Sequence, residues 1–412
     1  MINKKIRKLF CYALSSLLLV GCDDGGTAAD GTQEIDRRVN ISAATLRSGT
    51  HDGDEVMTNG IFKVLAWKRD SVGVPTPEMD EDGNITGTVN IMSYTDELWV
   101  GLQASSGEYI PEMVWFPGED TSLKPWTTLN TYYWPDKYIA CDFYAVYPST
   151  ASDIEVLPRD GSKRPVRYID FNNSTGKMDL LLAATTSNKA QAVADAIAAS
   201  GTDGLVKLLF HHALSRVTLK AQRDTQTPGP QLNVTVKSVE LCNVLQSGTF
   251  RFQDLPNTPG TAPTLGIWEL RGQPYNITLY SDATGIALTD ADTPYALTDA
   301  STSLQFIPQC LMAWDYTTKT IADNNLLPTP GTYLKIGCSI TIDGYEGDFA
   351  DDGYVYVPFS AVWTMDNHYE YTLHFGGGYD HEGHLILQPV TVTSTVTPWE
   401  TGNTQAIDPA WI

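Results

Sequence analysis

Long helical periodicity is almost missing from this 412-residue chain, and charge is sparse, with Asp, Glu, Lys and Arg making up only 18% of it. Without amphipathic helices to cover a sheet, and with Thr, Ser, Asn, Gly and aromatics plentiful, the composition points to an all-β protein. Basic residues are scarcest, 27 against 49 acidic ones. Once Lys4, Lys5, Arg7 and Lys8 leave with the leader described below, 23 basic residues face 49 acidic ones, a net −26. That excludes a basic groove for nucleic acid, and the acidity reads as a soluble surface that resists self-association. No CxxC pair occurs: beyond the leader Cys141, Cys242, Cys310 and Cys338 lie far apart. Zinc ribbons and redox dithiols are thereby disfavoured, and spacing leaves any disulfide pairing open. Strand-like surroundings make most of these thiols small buried hydrophobes. A GxSxG elbow, a P-loop and a dinucleotide fingerprint are also lacking.

What is present starts with a leader. A basic run over 4–8 precedes an apolar run over 9–20. Twelve residues are too few to cross about 30 Å of hydrocarbon as a helix, so residues 1–21 read as a signal peptide. The run closes in Leu19-Val20-Gly21-Cys22, which resembles the lipobox of bacterial lipoproteins. A thiol there is the side chain that takes a thioether lipid, and a Cys22 carrying more than one acyl chain would hold to a membrane durably. Residues 22–38, rich in Gly, Ala, Asp and Thr, read as a flexible tether.

From Val39 the pattern alternates with period two. Residues 39–46 form a short first strand, and Arg47 opens a Gly/Thr/Asp loop behind it. The stretch YYWPDKYIACDFYAVYP at 132–148 is the centre of the chain. It places Ile139, Cys141, Phe143, Ala145 and Tyr147 on one face and Tyr138, Ala140, Asp142, Tyr144 and Val146 on the other. Bulk on both faces predicts a central strand in a sheet covered on two sides. Residues 189–200 are the helical exception, with Ala190, Val193, Ala194 and Ile197 at i, i+3, i+4 and i+7 and Gly201 as the stop. Residues 205–222 read as a long strand or a strand pair kinked near His212 and Ala213, and the turn-rich 224–230 follows. The boundary between two domains is placed in this region, giving 39–204 and 205–412.

Four features could carry chemistry. The densest set of metal-ligand types runs from His374 through Asp380, His381, Glu382 and His384, but HExH in a glycine-rich turn does not put two imidazoles on one helix face. A polar hairpin loop is the better reading. Asp80-Glu81-Asp82-Gly83-Asn84 has its glycine at the wrong place for a calcium loop and reads as an acidic turn. His211 and His212 point to opposite faces of a strand, so they cannot share a metal, and at least one is packed or hydrogen-bonded. Ten tryptophans and twenty tyrosines could stack sugars or simply fill β-sandwich cores, the reading their period-two placement favours.

The lipobox at Cys22, the strand at 132–148, DLLLA at 179–183 leading into VKLLFHHALSRVTLKAQ, and the closing YEYTL with PVTVTSTVTPW resemble the fimbrillins, lipoprotein-derived pilins. The resemblance runs across nearly all of the exported chain. It implies two transthyretin-like β-sandwich domains in tandem with one short helix, no enzyme activity, no cofactor and no bound metal. It also implies export as a lipoprotein to the outer membrane and cell surface. There an arginine-specific protease removes the first strand, a neighbouring pilin subunit supplies a replacement, and the resulting fimbrium supports adhesion. Residues 39–46 match the removable strand and Arg47 the processing site. Arg37 and Arg38 fit less well, since cutting there leaves the strand in place. In the segment 385–399, Ile386, Val390, Val392 and Val396 share one face, as a donor strand requires, although this strand could equally complete its own domain. Two alternatives stay open: a tip or anchor subunit, and a monomeric surface-anchored glycan-binding or adhesin lipoprotein.

Overall fold

A computed structural model describes residues 39–45, 55–56, 61–70, 93–100, 102–103, 109–115, 127–135, 139–148, 154–157, 168–192, 205–223, 232–256, 258–289, 293–299, 302–342, 353–376, 390–399 and 405–406. All of them lie in the compact unit Arg38–Ile412. The period-two segments are strands and the architecture is an all-β sandwich fold.

In chain order the first strands are β1 (Asn40–Thr45), β2 (Ile61–Asp70), β3 (Ser93–Val100), β4 (Glu112–Trp115), β5 (Cys141–Tyr147), β6 (Ile154–Leu157), β7 (Tyr168–Asn172), β8 (Leu181–Ser187) and β9 (Leu205–His212). They are followed by β10 (Ser215–Arg223), β11 (Leu232–Val244), β12 (Ser247–Phe252), β13 (Gly266–Arg271), β14 (Tyr275–Ala287) and β15 (Leu304–Phe306). The last are β16 (Tyr333–Ile342), β17 (Tyr354–Pro358), β18 (Asn367–Phe375) and β19 (Thr391–Pro398). Two-residue ladders account for the remaining pairings.

The largest sheet runs 55–56, β1, β9, β8, β5, β2, β4, 127–128, with β3 beside β2. The central stretch behaves as its alternation predicts from Cys141 to Tyr147, whereas Ile139 and Ala140 and the residues 132–135 lie outside the strand. β5 pairs with β8 along its whole length and with β2 on its other edge. Cys141, Phe143 and Ala145 enter one core with Phe62, Val64 and Phe210. Tyr144 and Val146 enter a second core, opposite Ile169, Phe171, Phe250 and Phe252 of the sheet β6-β7-β12-β13. Aromatic edges knit these layers, with Tyr144 5.2 Å from Phe252 and Phe143 5.9 Å from Trp134.

Asp142 is the exception on that face, a carboxylate with no exposure. It survives burial because Arg69, itself 1% exposed, donates Nε to both its oxygens at 3.0 and 3.1 Å, and Thr186 donates its hydroxyl at 2.6 Å. The same guanidinium donates Nη2 to the Leu255 carbonyl at 3.1 Å.

The second sandwich packs the sheet 295–296, β10, β18, β19, 405–406 against β14-β11-β16-β17. Its core includes Val217, Leu219, Val239, Ile336, Phe306 and Phe375. The chain passes from first sandwich to second at Ala213 and Leu214, where the kink was expected. It returns through β12 and β13 to complete the first sandwich's smaller sheet, then crosses again into β14. Residues 189–192 are helical, the part of the expected helix that lies within the described residues. A second helix, α1 (Ile321–Asn325), was not foreseen because five residues carry no periodicity; its one sequence signal is the Thr320–Asp323 capping box.

Candidate strand-exchange surface

β1 lies in the large sheet between β9 and the short strand 55–56. It runs parallel to β9, with Asn40 opposite Leu205 and Thr45 opposite Phe210, six positions in all. On its outer side, among the described residues, Ala44 and Thr45 pair with Val56 and Glu55. β9 depends on this neighbour, because among the described residues its other edge pairs with β8 at His212 and His211, opposite Leu181 and Leu182. Val39 and Ile41 are buried beside Val206, Leu208 and Phe210. Removing β1 would therefore strip six residues of β9 of their ladder and open apolar side chains to water, two deficits that another strand can repair together.

The entrance to β1 is fastened separately. The Val39 N–H donates to the Tyr132 carbonyl at 2.8 Å. The loop carrying Tyr132 is ordered by Glu112, a carboxylate only 4% exposed that accepts from the Leu129 N–H, the Asn130 amide and the Tyr132 hydroxyl at 3.0, 2.8 and 2.5 Å.

At the other end of the chain, β19 pairs antiparallel with β18 over eight positions, Asn367 opposite Pro398 through His374 opposite Thr391. Val390 is buried in the second core, and Val392 and Val396 pack partly against it. Thr393 and Thr391 point away and are exposed, Thr393 meeting His374 Nε2 at 2.8 Å. These valines share a face as their spacing predicts, and that face is seated on their own domain. Trp399, directly after β19, stacks on His212 with ring centroids 4.1 Å apart and planes 6° from parallel. His212 Nδ1 meets Asp179 and His211 Nδ1 meets Asp366, each at 2.8 Å. The two histidines thus serve separate carboxylates on opposite faces. Asp366 adopts a left-handed φ of 59°, a conformation aspartate tolerates, which lets its carboxylate also accept from the His212 N–H at 2.6 Å.

Cys22, Arg37, Arg38, Arg47 and Ile386 lie outside the described residues, as do the cluster from Asp380 to His384 and the acidic turn at 80–84. Among the described residues no group of His, Cys, Asp or Glu could hold a metal ion. Cys141, Cys242 and Cys338 are buried, and Cys310 alone of the four is exposed. Burial pushes the Cys242 and Cys338 thiols up to about 12, the Glu240 charge adding to the effect at Cys242. Trp67, Trp134, Trp314, Trp363 and Trp399 are buried, leaving Tyr133 and Tyr316 as the exposed aromatics among the described residues. Most aromatics among the described residues fill cores. Sequence reasoning missed Glu112 and placed Tyr132 in the central strand, whereas Tyr132 lies in a loop before it; the sequence carries no local signal for the bond between them.

A family model described as Fimbrillin-like matches residues 108–399. Among solved structures, a fimbrial protein from Bacteroides vulgatus is 14% identical, covering 88% of this chain and 99% of its own, with a TM-score of 0.47. The tip fimbrial protein Mfa3 from Porphyromonas gingivalis, solved with a C-terminal truncation, is 9% identical over 88% of this chain and 98% of its own, with a TM-score of 0.32. No curated protein matches.

Proposed function

The chain belongs to the fimbrillin-like family, and from that premise we propose that it is a lipid-anchored pilin precursor whose first strand is cut loose and replaced by a strand from a neighbouring subunit. Membership makes it a non-enzymatic fimbrial or adhesion subunit that works at the cell surface with other pilin subunits. The finer steps are our reading. Cys22 takes the lipid that holds the precursor to the outer membrane, and Cys22→Ala should abolish labelling by a fatty acid. An arginine-specific protease cuts after Arg47, in the segment between β1 and 55–56. Arg37 and Arg38 precede β1, and cutting at either would leave it joined to the body.

The observation that carries this reading is the dependence of β9 on β1: six ladder positions on one edge against two on the other. A strand whose departure leaves so deficient an edge is stable in the precursor and is also a strong acceptor once vacated. The face formed by Ile386, Val390, Val392 and Val396 of a neighbouring subunit is our candidate occupant, since its alternation fits the positions left by Val39 and Ile41. It must first leave β18, so donation costs eight ladder positions that the new junction restores in part. The monomeric glycan-binding alternative finds no support in Trp67, Trp134, Trp314, Trp363 and Trp399, which are buried.

The test is Arg47→Ala in protein lacking the leader, treated with a trypsin-like protease. We expect a folded monomer that does not polymerise, whereas Arg38→Ala assembles into ladders like the parent. Ladders from Arg47→Ala as abundant as those from the parent would refute gating by this cut.

A further inference from the structure

We infer that Glu112 is a positioning residue that clamps the entrance of the removable strand and so sets how long β1 stays on the subunit. This role rests on the strand-exchange reading above and adds a control to it. The loop before Trp134 is largely solvated: Leu129 is 76% exposed, Asn130 and Thr131 are exposed, and Tyr133 is 39% exposed. An exposed loop of this kind ordinarily needs no buried carboxylate to order it. Here Glu112 accepts three hydrogen bonds from it, from the Leu129 N–H, the Asn130 amide and the Tyr132 hydroxyl. The Thr128 hydroxyl adds a bond to the Asn130 carbonyl at 2.6 Å. β4 carries Glu112 and is also the strand that pairs with 127–128, so the carboxylate and its loop are fixed to one element.

What the ordered loop presents is the Tyr132 carbonyl, and it is the Val39 N–H that binds there, at 2.8 Å. Tyr132 also packs partly against the core that buries Val39 and Ile41. Among the described residues β1 is thus held by its ladder on β9, by the buried side chains of Val39 and Ile41, and by this tie at the residue just before it. A strand leaves by fraying from an end, and the far end is freed by the cut. The Val39 end is then the last hold, and Glu112 keeps its acceptor in place. Charge-assisted bonds to a buried carboxylate are the stronger kind, so losing them should be felt at that end first.

Hydrogen exchange on the uncut protein tests the clamp without reference to assembly. Glu112→Gln, which keeps the side chain's size but turns one acceptor into a donor facing donors, should speed exchange of the amides of 39–45 about tenfold or more. Exchange in β5 and β8 should stay at the parent rate. Tyr132→Phe, which removes one bond and keeps the other two, should give a smaller acceleration confined to the same residues. It also serves if Glu112→Gln fails to fold. Unchanged exchange over 39–45, or acceleration spread equally over β5 and β8, would overturn the clamp. Because the readout is taken before any cut, assembly by Arg47→Ala would sink the exchange mechanism and leave this measurement standing on its own.

Discussion

Replacing Ile41 by alanine should release the first strand faster once it has been cut. Ile41 is 1% exposed and packs with Val206, Leu208 and Phe210. Trimming it removes three carbons, about 2.4 kcal/mol at about 0.8 kcal/mol each. With an imperfectly collapsed cavity the loss falls at about 2–5 kcal/mol. At about 1.4 kcal/mol per factor of ten, the cut strand should be held about 30-fold to about 4,000-fold more weakly. In the uncut chain the strand is tethered, so the variant should still be a monomer. Ile41 departs with its strand, which leaves the groove on β9 unaltered and makes faster assembly a report on release alone. The assay is cleavage of leaderless protein, followed by gel filtration for the freed peptide and electrophoresis for ladders. Asn40→Ala, a half-buried neighbour on the other face, is the control and should behave like the parent. If cut Ile41→Ala keeps its peptide as long as the parent and forms ladders no faster, β1 is not the strand whose departure governs assembly.

The remaining predictions concern the body of the fold. Arg69→Met leaves the fully buried Asp142 carboxylate without its cation and should cost about 3–5 kcal/mol by denaturant titration, while Arg69→Met/Asp142→Leu should recover most of the loss; a double variant as unstable as the single one would refute the account. His368, whose Nε2 lies 2.7 Å from the Thr218 hydroxyl, has its pKa lowered below 6.5 by burial, with the Arg216 and Lys220 charges adding and Glu370 opposing. The unfolded chain therefore binds the proton more readily, and this contribution is present above pH 6.5 and fades as pH falls below it. The melting temperature of His368→Gln should accordingly fall less steeply than the parent's on acidification. In native protein lacking its first 22 residues, iodoacetamide should modify Cys310 and spare Cys141, Cys242 and Cys338, as peptide mass mapping would reveal.

Local alternation was enough to read the all-β class, the two-faced burial of β5 and the kink between β9 and β10, because side-chain period and turn residues are properties of a few neighbouring positions. The opposite-facing histidines follow from the same rule, and the central and closing strands were enough to indicate the family that matches residues 108–399. Partners could not be read in this way. His212 draws its carboxylate from 33 positions away and His211 from 155, and nothing near either residue announces them. The return of β12 and β13 to complete the first sandwich is invisible to periodicity, since a strand's pattern tells that one face is buried and not which sheet buries it. Nothing in the local sequence joins Arg69 to Asp142, and only the fold places them side by side in a core that would otherwise reject both. Glu112 shows the same limit at the candidate site. Its alternation says little, and only the pairing of β4 with the chain at 127–128 sets its carboxylate beneath the loop that holds Val39. Sequence determined which segments extend and which faces are greasy; the tertiary structure decided which edges lack neighbours, because edge and neighbour are relations between segments far apart in the chain.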